Sequence, residues 1–311
     1  MSPPAKAEHD RSTRAVTTAS VSTAAILVAA KAIVWWLSGS VALLASLADS
    51  GLDLIASSAT FFAVRYAQAP PDKEHRFGHG KAEAFASLMQ AGLVFASAAV
   101  IAEEAVRHLI RPHPLQRQGW AIAVMAVSLA LTGGLIAFQS AVLKRAKSVA
   151  VSGDRAHYTA DFVSNLAALA AIAAAALIGW TGFDALGGLA VAAVLLWGAV
   201  AVFRASSDQL LDHELPDKDR KRIIALMTED AAVSAVSQLR TRASGPIVHI
   251  QLHADLDPEM SLEAAHKVVL AAERRVLKAF PQADILIHPD PRGRAEPHAG
   301  AFAEASADVE T

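Results

Sequence analysis

The sequence predicts an α-helical membrane protein: six transmembrane helices followed by a small cytoplasmic α/β domain of order α-β-β-α-β. Three observations carry this prediction. Charged residues make up 19% of the chain and apolar residues 53%, whereas soluble chains carry about a quarter charged. The apolar excess is concentrated between Val16 and Ala205, and the remainder reads as an ordinary soluble domain. Six segments of the apolar region reach the roughly 20 residues that a helix needs to cross a bilayer core. The same composition excludes intrinsic disorder. With no cysteine in the chain, disulfides, a Cys nucleophile and thiolate metal sites are excluded. A net charge of -2 gives no support for a nucleic-acid partner.

The six spans are expected at about 15–37, 41–66, 84–110, 119–143, 149–179 and 183–205. Ser38-Gly39-Ser40 breaks the first from the second, and Ala69 to Arg76 the second from the third. Arg111-Pro112-His113-Pro114, Lys144 to Lys147, and Gly179 to Gly182 mark the remaining breaks. The first segment is too long for a signal peptide and lacks a cleavage pattern. Domains are expected at 1–11 (a disordered arm), 12–208 (the helical unit), 209–291 (the soluble domain) and 292–311 (a disordered tail).

Basic residues in short loops set orientation. Lys6, Arg11 and Arg14 precede the first span; Arg65, Lys73, Arg76 and Lys81 surround the second-to-third loop; Lys144, Arg145, Lys147 and Arg155 surround the fourth-to-fifth. The opposite loops have none at 38–40 and 179–183, with Arg107, Arg111 and Arg117 around the remaining turn. Both termini are therefore expected in the cytoplasm.

Ionisable residues inside spans are costly and usually functional. The second span carries Asp49 and Asp53, and the fifth carries His157 and Asp161. Each pair is spaced i, i+4, so its members share one helix face. At 1.5 Å of rise per residue, Asp53 and Asp161 both fall near mid-span. Three carboxylates and an imidazole at one depth suit Zn2+ or a similar divalent ion in tetrahedral coordination. Without a cation, three clustered carboxylates in a low dielectric would not all stay ionised. A lone intramembrane Asp is equally well read as a hydrogen-bonder between helices; two pairs at matching depth are not. Lesser polar residues are Lys31, which snorkels or pairs with an acid, Glu103 and Glu104 near the outer end of the third span, and Asn165 one turn after Asp161.

On Ser46-Leu-Ala-Asp49-Ser-Gly-Leu-Asp53, Phe77-Gly78-His79-Gly80-Lys81-Ala-Glu83 and His157-Tyr-Thr-Ala-Asp161, the chain resembles the cation diffusion facilitator family. The resemblance extends over about residues 12–291 and is strongest to bacterial zinc and ferrous-iron exporters. It implies that Asp49, Asp53, His157 and Asp161 form the transport site. It also implies a loop metal site of Asp72, His75 and His79, a set that spacing alone leaves open against a solvated polar loop.

The soluble part reads as a helix from Pro216 to about Glu229, strands near Val236–Arg242 and Ile247–Ala254, a helix over Ser261–Phe280 and a strand over Ala283–His288. Ser261 followed by Glu263 has the pattern of a helix N-cap. His249, Gln251 and His253 alternate with Val248, Ile250 and Leu252, so the polar set points away from the core. The resemblance implies a dimerising metal-binding domain with His253, His266, His288 and Asp290 as ligands. Ser237 stands where relatives with more complete sites place a His, and Pro289 separates His288 from Asp290. Lys81 and Asp212 match positions that pair charges between the membrane and soluble parts.

The function expected is a homodimeric metal–proton antiporter in the bacterial inner membrane, exporting Zn2+, with Fe2+ or Cd2+ as other candidate cargo. Metal and protons compete for the same His and carboxylate ligands, and His157 is the best proton carrier because a histidine titrates near about 6.5. Two alternatives are a membrane metal sensor that does not transport and an intramembrane metalloenzyme. His213-Glu214 is not a zinc-protease motif, because Asp217 stands where its second His belongs.

Overall fold

The structure is a computed structural model of the full chain, and it describes residues 3–38, 41–110, 119–144, 148–178 and 182–294. Six long helices come first: α1 (Pro3–Ser38), α2 (Val41–Ala67), α3 (Ala82–Ile110), α4 (Gly119–Leu143), α5 (Val149–Ile178) and α6 (Gly182–Leu210). Then follow α7 (Asp217–Met227), β1 (Ala235–Ser244), β2 (Ile247–Leu256), α8 (Leu262–Ala279) and β3 (Ala283–Pro291). The chain divides into a helical unit, His9–Ser207, and a second unit made of the described residues from Asp208 together with the first residues up to Glu8. The connections at 39–40, 111–118, 145–147 and 179–181, with Arg111, Arg117, Arg145 and Lys147, lie outside the described residues.

Among the described residues, four helices contain apolar stretches long enough to cross a membrane by length and composition: Asp10–Leu37, Ala82–Arg107, Met125–Leu143 and Leu186–Leu210. Large apolar side chains line the outside of the bundle, among them Ile33, Ile55, Phe62, Val100 and Trp197, all more than half exposed. In water such a surface would be a liability; against hydrocarbon it is the favoured one.

Inside the bundle, Val94 and Ala98 of α3 pack with Ala160 of α5 and with Val191, Leu195 and Ala199 of α6. Small residues let these helices approach closely. At one close approach, a Cβ on Gly153 would lie 2.7 Å from Ser87 Oγ and 3.0 Å from Ser87 Cα. The start of α5 is fixed by Ser148, whose Oγ accepts from the Val151 N–H at 3.3 Å, as an N-cap does. The same hydroxyl donates to Glu83 Oε2 of α3 at 2.6 Å, so α5 begins at a defined point against α3.

The expected N-terminal arm, 1–11, overlaps the first helix. Helix α1 already begins at Pro3. Proline is tolerated in a first helical turn, and Ala, Lys and Glu continue the helix well. Of the predicted disordered tail, 295–311 lies outside the described residues. Its start is tied down: the Arg292 N–H donates to the Leu256 carbonyl at 2.7 Å and Arg292 Nε to Ser234 Oγ at 2.9 Å.

The second unit is a three-stranded sheet in the order β1-β2-β3. β1 and β2 are antiparallel, and β2 and β3 parallel, so the second pair needs the crossover that α8 supplies. Gly245, with φ +58, opens the tight β1–β2 turn in a conformation that favours glycine. Ser261 Oγ accepts from the Ala264 N–H at 3.3 Å and caps α8 as its sequence predicts. Ile223 and Met227 of α7 and Ala272 and Val276 of α8 form one core with Leu239, Ile250, Leu252 and Ala254 of the sheet. The β2 histidines thus face away from the helices.

Candidate metal sites

Among the described residues, three groups of potential metal ligands form, each with its donor atoms within 4.8 Å of one another: Asp53, His157 and Asp161; Asp72, His75 and His79; and His253, His288 and Asp290. All three were expected from sequence, and each lacks or keeps members for a physical reason.

The first lies between α2 and α5. Nε2 of His157 is 3.0 Å from Asp53 Oδ1 and 3.6 Å from Asp161 Oδ2. His157 and Asp53 are 5% and 9% exposed. Helical i, i+4 spacing brings Asp161 to His157, and packing of α2 on α5 brings Asp53 to the same ring nitrogen. His157 Nδ1 and Asp161 Oδ2 are buried without a hydrogen-bond partner. Buried polar atoms are normally satisfied, so this donor set fits a cation better than it fits itself. Asp49 does not join the trio: it is exposed, one helical turn from Asp53.

In the loop between α2 and α3, Asp72 folds the chain around itself. Its Oδ1 accepts from the His75 N–H at 2.6 Å and from the Glu74 N–H at 2.9 Å, an Asx-type turn. The His75 N–H holds the Asp72 carboxyl below its ordinary range against the opposing effect of desolvation, and the Glu74 N–H and nearby imidazoles add to the lowering. The two carboxylate oxygens point to separate histidines: Oδ1 to His75 Nδ1 at 3.3 Å and Oδ2 to His79 Nε2 at 3.2 Å. The His79 ring is buried against Tyr66, centroids 4.4 Å apart, and neither of its nitrogens is in hydrogen-bonding geometry. Gly78, at φ +82, permits the turn that returns His79 to Asp72.

In the sheet, His253 of β2 and His288 of β3 are directly paired, and Asp290 lies two residues further along β3. Residues two apart in a strand share a face. Asp290 bridges the pair, with His253 Nδ1 at 2.6 Å and His288 Nε2 at 3.3 Å. His266, on α8 and exposed, lies outside this trio. Ser237 is paired across from His253, its Oγ buried without a hydrogen-bond partner. His249 pairs instead with Asp284, Nδ1 to Oδ2 at 3.2 Å. Asp212 is bonded to Arg242 at 3.0 Å within its own unit.

Sequence reasoning passed over one buried centre. Asp154, 0% exposed, accepts at Oδ1 from Ser57 Oγ and Gln90 Nε2, each at 3.2 Å, and at Oδ2 from Gln139 Nε2 at 2.9 Å. Ser57 Oγ is also 2.8 Å from the Tyr158 hydroxyl, which donates to the Ser20 carbonyl at 3.2 Å. One carboxylate thereby ties α2, α3 and α4 to α5, one turn from His157. The available signal was Asp154 three residues before His157, a further acid inside an otherwise apolar helix.

Residues 17–211 match the family model described as the cation efflux transmembrane domain, and residues 215–292 the one described as the cation efflux protein cytoplasmic domain. The cation-efflux pump FieF of Yersinia enterocolitica is 40% identical over 287 residues, covering 91% of this chain and 94% of the relative. FieF of Klebsiella pneumoniae is 37% identical over 273 residues, covering 88% and 91%. A solved structure of CzrB in its zinc form aligns with 27% of this chain and 98% of its own at 30% identity, with a TM-score of 0.26.

Proposed function

The chain belongs to the cation efflux family, also called the cation diffusion facilitators, and from that premise we propose that it exports Zn2+ from the cytoplasm as a homodimeric metal–proton antiporter. It is a membrane transporter and not an enzyme. The observation that carries the proposal is the meeting of Asp53, His157 and Asp161 from two helices inside the bundle.

In this reading Asp53, His157 and Asp161 bind the ion, and Asp49 closes the tetrahedron when α2 brings it inward by one turn. The ligands bind metal only as carboxylates and neutral imidazole, so loading displaces protons and protonation from outside expels the ion. Alternating access follows from helix movement around this site. Imidazole with carboxylates suits Zn2+; Fe2+ and Cd2+ remain competing cargo for the same donors.

The loop and sheet sites are proposed as resident cytoplasmic metal sites, with both termini on that side. The first is held by Asp72, His75 and His79, the second by His253, His288 and Asp290. His266 completes the second through movement or from a second copy of the chain. The family's dimerising domain over 215–292 supports the homodimer. The decisive experiment is a metal panel of Zn2+, Fe2+ and Cd2+ in proteoliposomes carrying a pH-sensitive dye, for wild type and His157→Asp. Zn2+-driven proton movement that the variant redirects toward another ion supports the reading. Metal binding without net ion movement would instead indicate a sensor.

A further inference from the structure

Lys31 is a buried lysine inside an apolar helix, and the proposed ligand set does not use it. It sits on α1 at 8% exposure. Its Nζ donates to Ser50 Oγ at 2.6 Å and to the Ser46 carbonyl at 3.2 Å. Both acceptors are on α2 and flank Asp49, so the ammonium is docked against the turn that carries the ligands. A lysine within a membrane span is costly, and its hydrogen bonds to Ser50 and Ser46 do no more than offset that cost. An apolar side chain would fill the position more cheaply, so packing does not explain the residue.

Charge does. Three carboxylates contribute -3 and a neutral imidazole nothing; an adjacent ammonium brings the sum to -2, the charge that one divalent ion cancels. Without the ammonium, the loaded site would keep a net negative charge in a low dielectric, where uncompensated charge is expensive. Two other buried carboxylates of the bundle are engaged by neutral donors, Asp154 by Ser57, Gln90 and Gln139 and Glu83 by Ser148.

We propose that Lys31 is a resident cation of the transport site, which sets the ligand charge to match one divalent ion and holds affinity low enough for release. This rests on the assignment of the quartet as the transport site. Lys31 acts through the field it exerts on the ligands and is thus a positioning residue, not a ligand.

The test uses the full-length chain with Zn2+ as the probe, for wild type, Lys31→Gln, Lys31→Met, Lys31→Arg and Asp53→Ala. Lys31→Gln keeps a donor for Ser50 and removes the charge; Lys31→Met covers failure of that variant to fold. Binding is measured near pH 8, and the transport-site component is the part that Asp53→Ala removes. The proposal expects Lys31→Gln to tighten that component by about tenfold or more. Zinc flux should then show a lower KM together with a lower kcat, and Lys31→Arg should restore both. A tether that merely holds α1 to α2 would give the opposite sign. Weaker or unchanged binding in both neutral variants overturns the proposal while leaving the quartet intact. If Asp53→Ala removes no component at all, the quartet assignment falls first and this inference with it.

Discussion

His157 Nε2 on α5 lies 3.0 Å from Asp53 Oδ1 on α2, a contact between residues 104 positions apart. The same nitrogen is 3.6 Å from Asp161 Oδ2, so one ring atom marks where a cation would sit. Asp53→Ala and Asp161→Ala should each reduce metal-dependent proton flux in sealed vesicles to background, and the double variant should lose nothing more. Normal flux in both single variants would sink the assignment.

Asp154 is the shared acceptor of Ser57, Gln90 and Gln139. Asp154→Ala leaves buried donors short of a partner and should cost on the order of 3 kcal/mol. Asp154→Asn, which keeps an acceptor oxygen, should cost less. Thermal unfolding of the detergent-solubilised chain reads this, and an unchanged midpoint for the alanine variant would remove the network from the list of stabilising features.

The loop site depends on His79 reaching back to Asp72. His79→Ala should eliminate one metal-binding component of the full chain in equilibrium dialysis, while maximal Zn2+ flux persists because Asp53, His157 and Asp161 are untouched. Unchanged metal stoichiometry would show that the loop histidines bind nothing.

Burial lowers the pKa of His249, and the Arg242 guanidinium pushes the same way against the nearby Asp284 carboxylate. The folded domain therefore favours the neutral ring, and the unfolded chain takes up the proton first as pH falls. The resulting stability is complete above about pH 6.5 and is lost as pH drops through the lower folded-state value. Amide exchange along β2 of the full chain, corrected for intrinsic rates, should accelerate from pH 7 to 5 more in wild type than in His249→Gln. Equal acceleration in both would exclude His249 as the titrating group.

Much of the candidate chemistry was legible in short spacings. Asp72, His75 and His79 lie within one turn-forming loop, so their proximity is local. His157 and Asp161 share a helix face for the same reason. The tail's α-β-β-α-β order followed from alternation along β1 and β2 and from the Ser261 cap, with each strand running a residue or more beyond its expected limits. Other expectations needed the fold. Asp49 shares a helix face with Asp53 yet stays exposed, because spacing sets only the side of the helix and not the packing around each turn. His266 matches a ligand position in sequence, but α8 leaves it outside the His253–His288–Asp290 group.

By itself the sequence determined that the chain has a long-helical apolar part and a small α/β part, that it has no thiolate ligands, and which acids and histidines share a face. Those properties depend on composition and on backbone periods of a few residues. Only the tertiary structure decided that Asp53 meets His157, that His253 meets His288 across parallel strands, that Asp154 joins four helices, and that Lys31 docks on Ser50. These depend on how helix and strand surfaces far apart in the chain pack, which no local period of the sequence fixes.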